Sequence, residues 1–276
     1  MSRTYVITGS ASGIGAATRR RVLDQGDRVI GIDLRDAEVR ADLSTAAGRT
    51  DAVRDALGVA GGPIDAVIAC AGISAPSPVT VAIDYFGVVD VLTGLLPALR
   101  ESPTPRATVV SSMASLQPCD PALVDACLRG DESAALARGA ALAEAGPEAG
   151  FLNYSSAKRA LSRWVRRESV TPCWAGAGIP LNAVAPGTVV TPMTADLLAD
   201  PATRAVVDAS VPMPLNSHQR PEVVADLLVW LTSEQNSHCA GQTIYCDGGA
   251  DAVLRGDDIW SWADAPSTSA TAGPAS

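Results

Sequence analysis

Short runs of β-branched and apolar residues alternate along the chain with longer stretches whose apolar positions recur every three or four residues. The short runs are Thr4 to Thr8, Arg28 to Asp33, Val39 to Leu43, Asp65 to Ala69, Ala107 to Ser111, Leu181 to Ala185 and Thr243 to Cys246. Helical spacing covers Gly13 to Gln25, Thr45 to Leu57, Val79 to Arg100, Tyr154 to Trp174 and Pro221 to Thr232. The last stretch opens on proline, whose missing N–H costs nothing in a first helical turn. Such alternation is the signature of parallel strands joined by crossover helices. It predicts an α/β fold: one Rossmann-type, doubly wound sheet of about seven parallel strands.

Two regions break the alternation. Leu116 to Leu152 is alanine-rich and interrupted by Gly130, Gly139 and Gly146, and reads as a helical insertion (residues 116–152). From Asp264 the chain runs "DAPSTSATAGPAS", with little to bury, so residues 264–276 are expected to form a flexible tail behind a single domain of residues 1–263.

Composition narrows the function. With 276 residues, 47% of them hydrophobic, the chain can bury one substantial core. Its net charge is -9 and no basic run occurs, which argues against a nucleic-acid partner. The six cysteines form no C-x-x-C pair, as expected of reduced intracellular thiols, and no metal site is expected. No charged segment followed by an apolar one marks a secretion signal near Met1, so a cytoplasmic location is expected. The longest apolar stretch, Val79 to Leu99, is interrupted by Asp84 and Asp90 and reads as a buried helix, with no membrane partner.

The first strand runs straight into "GSASGIG". A glycine-rich turn that feeds a helix gathers bare N–H groups at the positive end of the helix dipole, where a pyrophosphate can sit. Gly9, Gly13 and Gly15 are spaced G-x-x-x-G-x-G, although the same turn also occurs in α/β proteins without a ligand. Asp33 ends the second strand, where a carboxylate accepts hydrogen bonds from both adenosine ribose hydroxyls and repels a 2′-phosphate. It therefore favours NAD over NADP, while Arg35 two residues on is a cation that a phosphate would use.

In "YSSAK", Tyr154 and Lys158 stand at i and i+4, on one face of a helix. A fixed ammonium stabilises a phenolate, which turns a tyrosine into a proton shuttle for carbonyl reduction or alcohol oxidation. Ser112, in "VVSSMAS", falls at the carboxyl end of the fifth strand, the edge at which open α/β sheets bind ligands.

Together with "ADL" (Ala41 to Leu43), "ACAG" (Ala69 to Gly72), "LNAVAPGTVVTPM" (Leu181 to Met193) and "GQTIYCDGG" (Gly241 to Gly249), these motifs resemble the short-chain dehydrogenase/reductase family. They occur in the family's order over almost the whole chain. The resemblance implies that Tyr154 is the general acid/base, that Ser112 orients the substrate oxygen, and that Lys158 tunes Tyr154 and binds the nicotinamide ribose. It implies NAD contacts at Gly9, Ser12, Gly13, Ile14, Gly15, Asp33, Leu34, Asp42, Leu43, Cys70, Ala71, Gly72, Tyr154, Lys158, Pro186, Gly187, Val189 and Thr191. Asn182 would support the sheet edge and "CDGG" would be structural.

Two positions depart from the family pattern. Ala69 and Cys70 stand where the family usually carries two asparagines, and Cys70 reads as a plain core thiol. Asp84 replaces the asparagine of the catalytic tetrad; it lacks an N–H donor unless protonated, so it is expected at the site with an altered pH dependence.

Ser112 and Tyr154 are 42 positions apart, far more than most of the family uses. With Gly31 to Arg49 and "DYFGVVDVL", the insertion resembles the bacterial 3α-hydroxysteroid dehydrogenase/carbonyl reductase group. That resemblance implies a hydrophobic cyclic or aromatic alcohol or its ketone as the small-molecule partner, and assembly as a homodimer or homotetramer. Met193, Leu197, Leu198, Val206, Val207, Val211 and Met213 are expected in a loop over an apolar substrate, and Trp260 and Trp262 either line a pocket or anchor the tail. The alternatives are a dehydrogenase of the same family for an aryl or terpenoid alcohol or a 3-oxoacyl thioester, and a non-catalytic NAD sensor.

Overall fold

A computed structural model describes residues 2–215 and 218–261. Seven parallel strands form one sheet in the order β3-β2-β1-β4-β5-β6-β7. The strands are β1 (Thr4–Thr8), β2 (Arg28–Asp33), β3 (Val39–Arg40), β4 (Ala66–Ala69), β5 (Arg106–Val110), β6 (Leu181–Pro186) and β7 (Thr243–Cys246). β1, β4, β5 and β6 are apolar and almost wholly buried because helices cover both faces. One face carries α2 (Ala46–Ala60), α4 (Val88–Arg100) and α8 (Leu152–Glu168); the other carries α1 (Gly13–Asp24) and α11 (Pro221–Thr232). The strand order reverses between β1 and β4, which opens a crevice at the carboxyl ends of the strands.

The helix expected over Val79 to Arg100 is α3 (Pro78–Val81), then a π-helical segment, Ala82–Gly87, then α4. The whole, Pro78–Arg100, has the length and composition of a membrane span, but its apolar face, Val91, Leu92, Leu95 and Leu99, is packed into the core beside the sheet.

Three expected boundaries are corrected. β3 stops at Arg40 rather than Leu43, because the Ser44 amide donates to the Asp42 carboxylate at 2.9 Å and turns the chain. α8 begins at Leu152 and ends at Glu168, not Trp174; Val170 to Trp174 leave the helix in turns, although Trp174 is buried edge-on against Trp164. The segment after Thr191 is not an open loop but two helices, α9 (Ala195–Ala199) and α10 (Pro201–Ser210). Asp200 starts the second by accepting the Thr203 amide at 2.8 Å, with proline next in the chain.

Between β5 and α8 lie α5 (Pro121–Arg129), α6 (Glu132–Glu144) and the single turn α7 (Pro147–Gly150). Asp120 caps α5 through the Leu123 amide at 2.8 Å and pairs with Arg138 of α6 at 2.6 Å. A buried Arg49 ties this block to the core, reaching Asp90 of α4 at 2.7 Å and Glu132 of α6 at 2.6 Å. A last helix, α12 (Ala250–Arg255), follows β7. Trp262 and the tail expected from Asp264 lie outside the described residues.

Candidate active site

The glycine turn is shaped by close approach. Gly9 has φ +67°, and a Cβ there would come within 2.9 Å of the Ala71 backbone. At Gly15 a Cβ would sit 2.0 Å from the Gly9 carbonyl oxygen, so α1 packs directly on the turn. Ser12 does not use its hydroxyl to cap α1, and the first turn of that helix holds no acidic residue. Its amides are thus free for an anion, and Thr191 stands over Gly13, within 3.4 Å of where a Cβ would lie.

Asp33 closes the other side of this turn. Its Oδ2 accepts the Ala11 amide at 3.0 Å and its Oδ1 the Leu34 amide at 2.7 Å, which leaves each oxygen lone pairs for ribose hydroxyls. Leu34, Arg35 and Asp42 are exposed beside it, and Leu43 is packed into the core. Bare backbone, an uncapped helix end and a carboxylate at the end of β2 together fit a dinucleotide.

Past the crevice lies a cleft of about 810 Å³, lined by Ser112, Tyr154, Lys158 and Asp84 together with Ile14, Cys70, Gly72, Pro186, Gly187, Val189 and Thr191. Ser112 leaves β5 with its hydroxyl accepting the Ala114 amide at 3.1 Å. Lys158 is buried; its Nζ donates to the Val110 carbonyl at 3.0 Å and lies 3.1 Å from Asp84 Oδ2. It is 5.7 Å from the centre of the Tyr154 ring.

Asp84 enters the cleft from the π-helical turn, a distortion that proteins use to aim side chains at functional sites. Its Oδ1 accepts the Ile73 amide at 2.8 Å, and Gly72 packs on the carboxylate. The expected site residue is therefore present, and it contacts Lys158 directly. Burial pushes the Asp84 carboxyl above the usual carboxylate range, and the Lys158 ammonium opposes that push. Burial alone would lower the Lys158 ammonium, but Asp84 and then Tyr154 outweigh it and hold it above the ordinary lysine value. The ammonium is thus retained, 3.1 Å from Asp84 Oδ2.

Cys70 lines the cleft, and burial pushes its thiol up to about 12, with Lys158 opposing. It stays protonated and is no nucleophile at neutral pH.

Several side chains that the motifs do not single out hold α8 in place. The Ser155 hydroxyl donates to the Pro118 carbonyl at 2.6 Å, and the Ser156 hydroxyl accepts the Asp120 amide at 2.8 Å. Arg159 donates to the carbonyls of Ser115 and Gln117. The "SS" within "YSSAK" and the arginine after it thus clamp α8 to the segment that leads into the insertion. Gln117 in turn donates to the Ser210 carbonyl at 3.1 Å, joining that segment to the end of α10.

The outer walls of the cleft are mostly apolar. Leu116 and Pro118 contribute from one end of the insertion, Phe151 and Leu152 from the other, and Met193, Leu197, Val206, Val207 and Val211 from the segment spanning α9 and α10. No residue of α9 or α10 is buried; Met193, Leu197 and Val206 are 48%, 41% and 67% exposed. Met213 instead packs under Gly187, and Leu198 and Trp260 stand outside the cleft.

A family profile described as enoyl-(acyl carrier protein) reductase matches residues 9–251. The chain is 38% identical over 256 residues to the 3-alpha-hydroxysteroid dehydrogenase/carbonyl reductase of Comamonas testosteroni, spanning 91% of this chain and 97% of that protein. It is 32% identical over 275 residues to the cis-4-hydroxycyclohexanecarboxylate dehydrogenase of Sinomonas cyclohexanicum, spanning 91% and 97%. The 3-alpha-hydroxysteroid dehydrogenase of Pseudomonas sp. B-0831, solved with NADH, superposes with a TM-score of 0.84 at 39% identity, covering 93% of this chain and 100% of that one.

Proposed function

The chain belongs to the short-chain dehydrogenase/reductase family, and from that premise we propose that it interconverts a hydrophobic secondary alcohol and its ketone using NAD(H). The observation that carries this reading is the meeting of Ser112, Tyr154 and Lys158 in one cleft whose outer walls are apolar. The similarity to a hydroxysteroid dehydrogenase solved with NADH supports both the cofactor and a cyclic substrate.

NAD, when bound, supplies the hydride acceptor. The pyrophosphate is assigned to the Gly9–Gly15 turn, the adenosine ribose to Asp33, with Asp42 and Leu43 toward adenine, and the carboxamide to the loop from Pro186 to Thr191. Ser112 donates a hydrogen bond to the substrate oxygen. Tyr154 takes the hydroxyl proton as the alcohol is oxidised, or returns it to the carbonyl oxygen in reduction. Lys158 holds the nicotinamide ribose and keeps positive charge beside Tyr154. α9 and α10 cover the substrate and exclude water.

A cytoplasmic location belongs to the same reading and is supported by six unpaired cysteines. So does a homodimer or homotetramer, for which the half-exposed Val223 and Trp230 of α11 offer apolar surface; light scattering on the purified protein reads the mass. The catalytic claim is tested by following NADH absorbance with NAD and a panel of alcohols: a 3α-hydroxysteroid, a substituted cyclohexanol, and aryl and terpenoid alcohols. The reverse assay uses NADH with their ketones and a 3-oxoacyl thioester. NADH formation with the cyclic alcohols is expected. Tight cofactor binding without turnover of any member would leave only a cofactor-binding protein.

A further inference from the structure

Besides Cys70 and Tyr154, three ionisable side chains line the catalytic cleft among the described residues: Asp84, Lys158 and Glu148. The first two compensate each other at 3.1 Å. Glu148 makes no ion pair or side-chain hydrogen bond among the described residues, so its negative charge is the one that a ligand in the cleft meets uncompensated.

Its position follows from the backbone. Residues 147–150 form the single turn α7, the chain turns at Phe151, which keeps right-handed helical angles, and α8 starts at Leu152, so Glu148 is carried on the turn just before the helix of Tyr154 and Lys158. Glu148, Phe151, Leu152 and Ser155 recur at i, i+3, i+4 and i+7 and line the cleft together, next to Tyr154 and Lys158. Glu148 is exposed and precedes Tyr154 by more than a helical turn, at the open end of the cleft. A substrate whose reacting oxygen sits on Tyr154 and whose body lies along Phe151 and Leu152 presents its far end to this carboxylate.

Resting on the function proposed above, we propose that Glu148 is a specificity residue that selects against substrates with an anionic group at the end remote from the reacting alcohol. Neutral alicyclic alcohols, and those with a hydrogen-bond donor or cation at that end, are accepted. A carboxylate there brings two like charges together at the exposed end of the cleft, a repulsion that salt screens. This chain then differs from the relative named for a hydroxycyclohexanecarboxylate, despite their 32% identity.

The test compares 4-hydroxycyclohexanecarboxylate with its methyl ester, with cyclohexanol as a neutral reference, in the wild type, Glu148→Gln and Glu148→Lys. The wild type should favour the ester by kcat/KM. Glu148→Gln should shrink that preference about three- to tenfold through a lower KM for the acid, with the ester unchanged, and added salt should narrow the wild-type ratio. Glu148→Lys should invert it. Glu148 is exposed, so both variants are expected to fold. An ester-to-acid ratio that is the same in all three proteins overturns the inference while leaving the function intact. Absence of turnover with the ester and cyclohexanol as well as a 3α-hydroxysteroid overturns the function, and the inference with it.

Discussion

The Lys158 ammonium lies 3.1 Å from the Asp84 carboxylate and 3.0 Å from the Val110 carbonyl oxygen, so the cation that faces Tyr154 is already compensated within the protein. In Asp84→Asn the carboxamide keeps the shape and loses the counter-charge. Lys158, held up in part by Asp84, should then lose its proton at lower pH, drawing in the alkaline limb of kcat/KM for alcohol oxidation. A pH profile that coincides with the wild type would show that Asp84 does not set the charge at the site.

Asp33 is expected to choose between the two nicotinamide cofactors. Its carboxylate ends β2 beside the glycine turn, accepting the Ala11 amide at 3.0 Å, and Arg35 is exposed two residues on. Asp33→Asn should raise kcat/KM for NADP relative to NAD by about tenfold or more, by removing a like charge. Steady-state kinetics with both cofactors reads this directly; an unchanged ratio would place the discrimination elsewhere.

Gly15 allows α1 to rest on the carbonyl of Gly9, with no room for a Cβ that would stand 2.0 Å away. Gly15→Ala must push the helix off the turn. It should cost roughly 1–3 kcal/mol of stability and weaken NADH binding, measurable by thermal unfolding and by fluorescence titration. Retention of wild-type affinity would remove this turn from the cofactor site.

Asp120 holds the first two helices of the insertion together as the cap of α5 and the partner of Arg138 of α6. Arg138 holds its carboxyl below the usual carboxylate range, against the effect of burial and helped by the Leu123 amide. A depressed folded-state value means that the stabilisation is present above the unfolded value of about 3.9 and is lost as pH falls through the folded one. Asp120→Ala should therefore lower stability by about 1–2 kcal/mol at neutral pH, and the two proteins should converge in acid. Urea unfolding at both pH values checks the sign.

The sheet is legible in the sequence because β1, β4 and β6 are largely apolar runs that are buried along nearly their whole length, and hydrophobic pattern reports burial directly. It misleads at Val170 to Trp174, where Trp174 is buried without being helical, and at Ala41 to Leu43, where a side-chain turn ends the strand. α9 and α10 bury nothing, so they have no core-facing stripe to betray them; the Asp200-Pro201 start was the available signal. Tyr154, Lys158 and Ser112 are legible from spacing, whereas the Asp84–Lys158 contact depends on a π-helical register that no apolar period encodes. Arg49 looks like a surface charge in sequence and is buried because Asp90 and Glu132 approach it from elements far apart in the chain.

Transfer of a proton through the Tyr154 hydroxyl is the central claim, and Tyr154→Phe is its most direct test, since it removes one oxygen from the cleft. The account predicts that turnover of cyclic alcohols with NAD falls by several orders of magnitude while the dissociation constant for NADH stays within about threefold of the wild type. Undiminished turnover with normal NADH binding would contradict it and remove Tyr154 from the chemistry.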